Sequence, residues 1–201
     1  TKNIAIGVYA ADALTSGDDN TGLGYAALGA LNTGSANVAI GNNALDAHTS
    51  GNYNTAVGYG ALTTNTTASN NTAVGSNALQ ANTTGALNTA IGKDCMYANT
   101  TADNGTAVGY NALSANTTGA SNTAVGFNAL AANTTGIRNL AVGYGTLDAA
   151  TDEDDNIAIG HNALSVLSSG GQRNTVVGSN AGDAVTSGDN NCFFGHDAGS
   201  G

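Results

Sequence analysis

The sequence predicts an all-β protein: a parallel β-solenoid (β-roll) of twelve 17-residue coils. Three observations predict it. A glycine returns at a fixed period, whole columns of residue type keep phase with it, and the composition lacks the charge of an ordinary globular surface.

The glycines are Gly7, Gly24, Gly41, Gly58, Gly75, Gly92, Gly109, Gly126, Gly143, Gly160, Gly178 and Gly195, spaced by 17 residues in ten of eleven intervals. The exception, Gly160 to Gly178, is 18 residues and holds Ser168-Ser169-Gly170-Gly171, which reads as a one-residue loop insertion. The repeat spans residues 1–201 as one fibre domain, and with repeat pattern at both ends the chain reads as a section of a longer fibre.

With the glycine as position zero, minus four is Asn in eleven of twelve copies, Gly105 being the exception. Minus three is Thr, Ile, Val, Leu or Cys; minus two is Ala except for Gly22, Val176 and Phe193; minus one is a large apolar residue. The β-branched run reads as a short strand ending at the glycine. Stacked at the parallel-strand spacing, twelve such strands make a rod about 55 Å long. After the glycine come a variable residue, often Asn, then Ala, and then Leu in most copies (Leu28, Leu45, Leu62, Leu79, Leu113, Leu130, Leu147, Leu164, with Met96). That segment fits either a second strand or a helical turn. An Asn-Thr-Thr-Gly turn closes the fullest copies, as at Asn82–Gly85 and Asn116–Gly119. In copies one and eleven the large residue arrives three places later, as Leu14 and Val185.

Stacking puts the Val/Ile and Leu columns into a narrow core and lines the Asn residues into ladders. Alanine held at minus two beside Val or Ile at minus one implies that both strand faces are covered, one by the chain's own coil and the other by a partner chain. A homo-oligomer follows, and Ala124→Lys is expected to disrupt assembly.

Charged residues make up 9% of the chain, against about 25% in an average protein. The net charge is −10, and the four bases, Lys2, Lys93, Arg138 and Arg173, are scattered, which excludes a nucleic-acid partner. No apolar run is long enough to insert into a membrane as a helix. Two cysteines, Cys95 and Cys192, set six coils apart, predict no intrachain disulfide.

Candidate chemistry is sparse. His48, His161 and His196 fall in different coils without ligand spacing, so no metal is expected. Asp152-Glu153-Asp154-Asp155 fills one turn; it fits a solvated loop better than a calcium site, because the Gly-Gly-x-Gly-x-Asp repeat is missing. Asn65, Asn82, Asn99, Asn116 and Asn133 each open an Asn-Thr-Thr tripeptide, matching both turn chemistry and the N-glycosylation acceptor. The position after the glycine carries Tyr25, Tyr59, Tyr110, Phe127 and Tyr144, a column suited to packing between chains or to contact with a cell-surface glycan. The same residues recur in every coil, so no unique constellation marks an enzyme and no cofactor is expected.

Asn37-Val38-Ala39-Ile40-Gly41 and Asn156-Ile157-Ala158-Ile159-Gly160 resemble the head repeat of trimeric autotransporter adhesins. The fuller unit, Asn122 to Gly136, is similar to repeats of phage tail-fibre-like proteins. The resemblance implies a parallel β-roll of three packed chains and a structural fibre or adhesin on a cell or virion surface, extracellular and used for attachment. A rod that itself recognises carbohydrate is the alternative. An ice-binding solenoid ranks below both, for want of a regular Thr-x-Thr array.

Overall fold

A computed structural model describes residues 2–200; Thr1 and Gly201, the ends of the expected domain, lie outside the described residues. Twelve three-residue strands, from β1 (Ile4–Ile6) to β12 (Cys192–Phe194), form one sheet in sequence order. Every neighbouring pair is parallel and in phase. In β8 (Thr123–Val125) and β9 (Leu140–Val142), Thr123 faces Leu140, Ala124 faces Ala141 and Val125 faces Val142. The result is a solenoid of about eleven turns, with no helix among the described residues.

The Ala–Leu segment is neither a second strand nor a helix. It is a chain of turns that also bonds from coil to coil, for example Leu113 N–H to the Ala129 carbonyl at 3.0 Å and Ala115 N–H to the Ala131 carbonyl at 3.1 Å. Three positions per coil take left-handed backbone, shown in one coil by Asn128 (φ 54°), Leu130 (φ 51°) and Arg138 (φ 58°). This accounts for the frequent Asn at plus two, where a short polar side chain tolerates that conformation. Leucine at plus four has no such excuse. Its strain, of order 1–2 kcal/mol, is held in place because the side chain is fully buried in the lumen.

The composition of the core corrects the expectation. The strand turns its alanine inward and its flanking residues outward. The lumen is filled by Ala at minus two, Ala at plus three and Leu at plus four, with two columns of buried asparagine. The Val/Ile column lies on the outer face. The physical reason is width: a 17-residue coil closes on a narrow lumen, and the leucine at plus four leaves room only for alanine at minus two. Where minus two enlarges to Val176 or Phe193, the leucine slot shrinks to Gly182 or Gly199; a second large side chain enters only at plus seven, as Leu31 beside Leu28 and Leu167 beside Leu164. Ala124 is wholly buried by its own coil. Lysine there tests the folding of one chain, and a test of assembly must act on the outward residues.

The lumen's polar columns satisfy the backbone at the corners. Along minus four, each backbone N–H binds the side-chain oxygen of the Asn one coil before, as from Asn54 to Asn37 (2.9 Å), while the amide reaches a carbonyl in the next coil, as from Asn54 to Ala68 (2.9 Å). Gly105 breaks this ladder, and the terminal methyl of Met96 fills the vacated volume: a Cβ on Gly105 would lie 2.5 Å from Met96 Cε. Along plus seven, Asn82, Asn99, Asn116 and Asn133 each donate to the side chain one coil before, over 2.8–3.1 Å. The ladder starts at His48, whose Nδ1 accepts from the Asn65 amide (3.1 Å) and whose Nε2 meets the Gly51 carbonyl (2.9 Å). It ends at Asn133, whose Oδ1 has no partner among the described residues because the next residue in the column is Ala150.

Candidate functional site

Two surfaces carry the candidate function, an outer sheet face and a ladder of rings. The outer face is built from minus three and minus one of all twelve strands, none of them buried. Its 24 side chains are Thr, Val, Ile and Leu, with one Cys and one Phe, and none is charged. The strip is about 55 Å long and 10 Å wide, about 550 Å² in projection. The strip carries no charge, and its minus-one column is Val, Ile, Leu or Phe in every coil. One chain leaves the face open, while its Ala side is closed by the chain's own coil.

The ring column divides. Tyr110, Phe127, Tyr144 and His161 stack nearly parallel, with centroids 5.3, 5.0 and 5.2 Å apart and planes within 15°. Lys93 Nζ lies 5.5 Å from the outer face of Tyr110. Phe127 and Tyr144 therefore spend both ring faces on their neighbours in the stack. Tyr25 meets Tyr9 edge-on at 5.6 Å. Tyr59, 60% exposed, has Asn42 and Ser76 above and below it in the column and stacks on no ring among the described residues.

The acidic turn disperses into separate tasks. Glu153 is buried and accepts backbone N–H bonds from Thr151 (2.6 Å), Asp152 (3.0 Å) and Gly170 (3.1 Å). Asp154 accepts from Ile137 N–H at 2.8 Å, and Asp155 holds Arg138 through two bonds of 2.6 and 2.8 Å. That guanidinium pulls the Asp155 carboxyl below its ordinary range. Among the described residues no group of three or more His, Cys, Asp or Glu could hold a metal ion.

The Asn of every Asn-Thr-Thr tripeptide is fully buried, with its amide spent in the plus-seven ladder. In the folded rod these side chains are structural, closed to a transferase. His48 is buried too, and desolvation lowers its pKa despite the carbonyls of Gly51 and Asn65. His196 lies 2.9 Å from Asp197 at the exposed far end. Both cysteines are free, Cys95 buried and Cys192 exposed; burial pushes the Cys95 thiol up to about 12.

A ring outside the predicted column, Tyr97, lines a groove of about 540 Å³ with Asn77, Asp94, Asn111 and Ser114. Its signal in the sequence was an aromatic residue at plus five, where other coils carry small or polar ones.

No family model, curated protein or solved structure matches this chain. Its own geometry is that of a parallel β-solenoid with one uncovered apolar face.

Proposed function

We propose that the chain is a structural segment of an extracellular or virion-surface fibre, in which copies pack through the outer Thr/Val/Ile face into a rigid attachment rod. The observation that carries this reading is the charge-free strip of 24 outward side chains. Solvent alone does not select Val or Ile at minus one in copy after copy, because a face that stays wet accepts Lys, Glu or Ser there. A strip of this size is of the same order as the roughly 800 Å² each partner contributes to a standard interface. The surface location and the trimer are supported by the resemblance to adhesin heads and tail-fibre-like repeats.

The test is a triple variant, Val108→Lys with Val125→Lys and Val142→Lys, measured by sedimentation and far-UV circular dichroism. Each ammonium trapped in an interface costs several kcal/mol, whereas on an open face each is close to neutral. The expected result is dissociation into folded single chains. A variant that keeps the parent's mass refutes packing through this face.

A further inference from the structure

The turn segments stack as the strands do, so positions two, five and six after each glycine form three parallel columns along the rod. Between Gly75 and Gly119 these columns open the 540 Å³ groove, lined by Asn77, Asp94 and Asn111 at plus two, Tyr97 and Ser114 at plus five, and Ala98 and Ala115 at plus six. The groove lies on the turn segment and not on the strand face that we propose is covered.

Part of the groove's donor capacity is already used. The Asn77 amide donates to Asp94 Oδ1 (3.0 Å), the Asn111 amide to Asn128 (3.0 Å), and the Ser114 hydroxyl to the Ala131 carbonyl (3.3 Å). The side-chain oxygens of Asn77 and Asn111 accept nothing from the described residues, and neither does the Tyr97 hydroxyl engage any of them. Asp94 is neutralised by Lys93, whose Nζ lies 3.3 Å from Oδ2. The Tyr97 ring is half exposed and is in contact with no other ring among the described residues.

This inventory selects a ligand. It must both donate and accept hydrogen bonds, because the Asn77 and Asn111 side-chain oxygens are open acceptors while the Tyr97 hydroxyl and the second N–H of each amide remain as donors. It is uncharged: the chain's net charge of −10 opposes an anion, and Lys93 has already answered the one carboxylate. It carries a flat C–H face to lie on the Tyr97 ring and the methyls of Ala98 and Ala115. A hydroxyl-rich ring with apolar faces, extended over the three coils' span of about 10 Å, meets all of these conditions. We propose that this groove is a binding subsite for a neutral oligosaccharide, with Tyr97 as its stacking platform. A second groove of about 360 Å³ lies on the same columns at Asp148, Asn162 and Ser165, where Asp148 stands in place of the ring. It lacks the platform and serves as an internal comparison.

The test applies the parent, Tyr97→Ala and Tyr59→Ala to a printed array of neutral cello-, malto- and chito-oligosaccharides beside sialylated glycans. Bound probes are followed by saturation-transfer NMR. The expected result is binding of at least one neutral series, weakened about tenfold or more by Tyr97→Ala and unchanged by Tyr59→Ala, with no sialylated glycan retained. The proposal is overturned if the parent binds no neutral probe at millimolar concentration, if it prefers the sialylated probes, or if Tyr97→Ala binds as the parent does. Sedimentation of Tyr97→Ala alongside the parent separates loss of the subsite from loss of the rod.

Discussion

Replacing Gly126 by alanine tests the stacking of coils at a single atom. Gly126 has φ of 139°, and an added Cβ would lie 2.2 Å from the Gly143 carbonyl oxygen and 2.7 Å from its carbon. Relief requires the two coils to part by about 1 Å, which carries neighbouring N···O pairs out of hydrogen-bonding range. The bond from Gly143 N–H to the Val125 carbonyl, 2.8 Å long, is among those lost. Two or three such bonds at about 1 kcal/mol each, with about 1–3 kcal/mol for the backbone conformation, give a loss of about 3–6 kcal/mol. That is a large part of the 5–15 kcal/mol that holds a typical domain together. Gly195 sits in the same column with φ of 127°, yet nothing lies within 4 Å of its added Cβ. Gly195→Ala therefore carries the conformational cost alone, about 1–3 kcal/mol. Guanidinium denaturation of both variants, followed by far-UV circular dichroism, measures the difference. If Gly126→Ala unfolds at the same denaturant concentration as Gly195→Ala, the close approach of the coils is not what requires glycine.

Further outcomes follow from the interior. His48→Asn extends the plus-seven ladder by one rung and removes a buried imidazole. Since burial lowers the folded-state pKa of His48 below 6.5, the unfolded chain takes up a proton first as pH falls through 6.5, and the parent loses stability there. The melting temperature of His48→Asn should stay within a few degrees of the parent's at pH 8 and fall less steeply between pH 6.5 and 5; parallel curves would contradict this. Gly105→Asn alone should destabilise by about 1–3 kcal/mol through overpacking against Met96, and Met96→Leu should recover much of that loss in the double variant. A double-mutant cycle showing simple additivity would deny the pairing. In the native protein at pH 8, iodoacetamide should spare Cys95, which reacts after denaturation; rapid labelling of Cys95 would contradict its burial.

The strand, the glycine corner and the turn were legible because each occupies a column, and a column kept over twelve copies admits one architecture. The facing of the strand was not. Hydrophobicity alone sends Val125 inward and leaves Ala124 undecided, whereas the lumen's width decides the matter the other way. The signal lay in paired departures, Val176 with Gly182 and Phe193 with Gly199, in which minus two grows as plus four shrinks. Tyr110, Phe127 and Tyr144 were legible as a column, but their mutual stacking follows from the spacing of coils, which sequence gives only once the fold is assumed. Tyr97 falls outside that column, and only the folded turn brings it beside Asn77 and Asn111. The Asn-Thr-Thr tripeptides carry identical letters for a glycan acceptor and a lumen ladder; burial distinguishes the two.

The central claim is that the outward Thr/Val/Ile face of one solenoid is covered by further copies of the same chain. Native mass determination of the unmodified protein by analytical ultracentrifugation, over a range of micromolar concentrations, tests it most directly. The account predicts a discrete multiple of 19.5 kDa, three chains being the favoured number, with an elongated frictional ratio. A species that sediments as a folded single chain of 19.5 kDa across that range would contradict it.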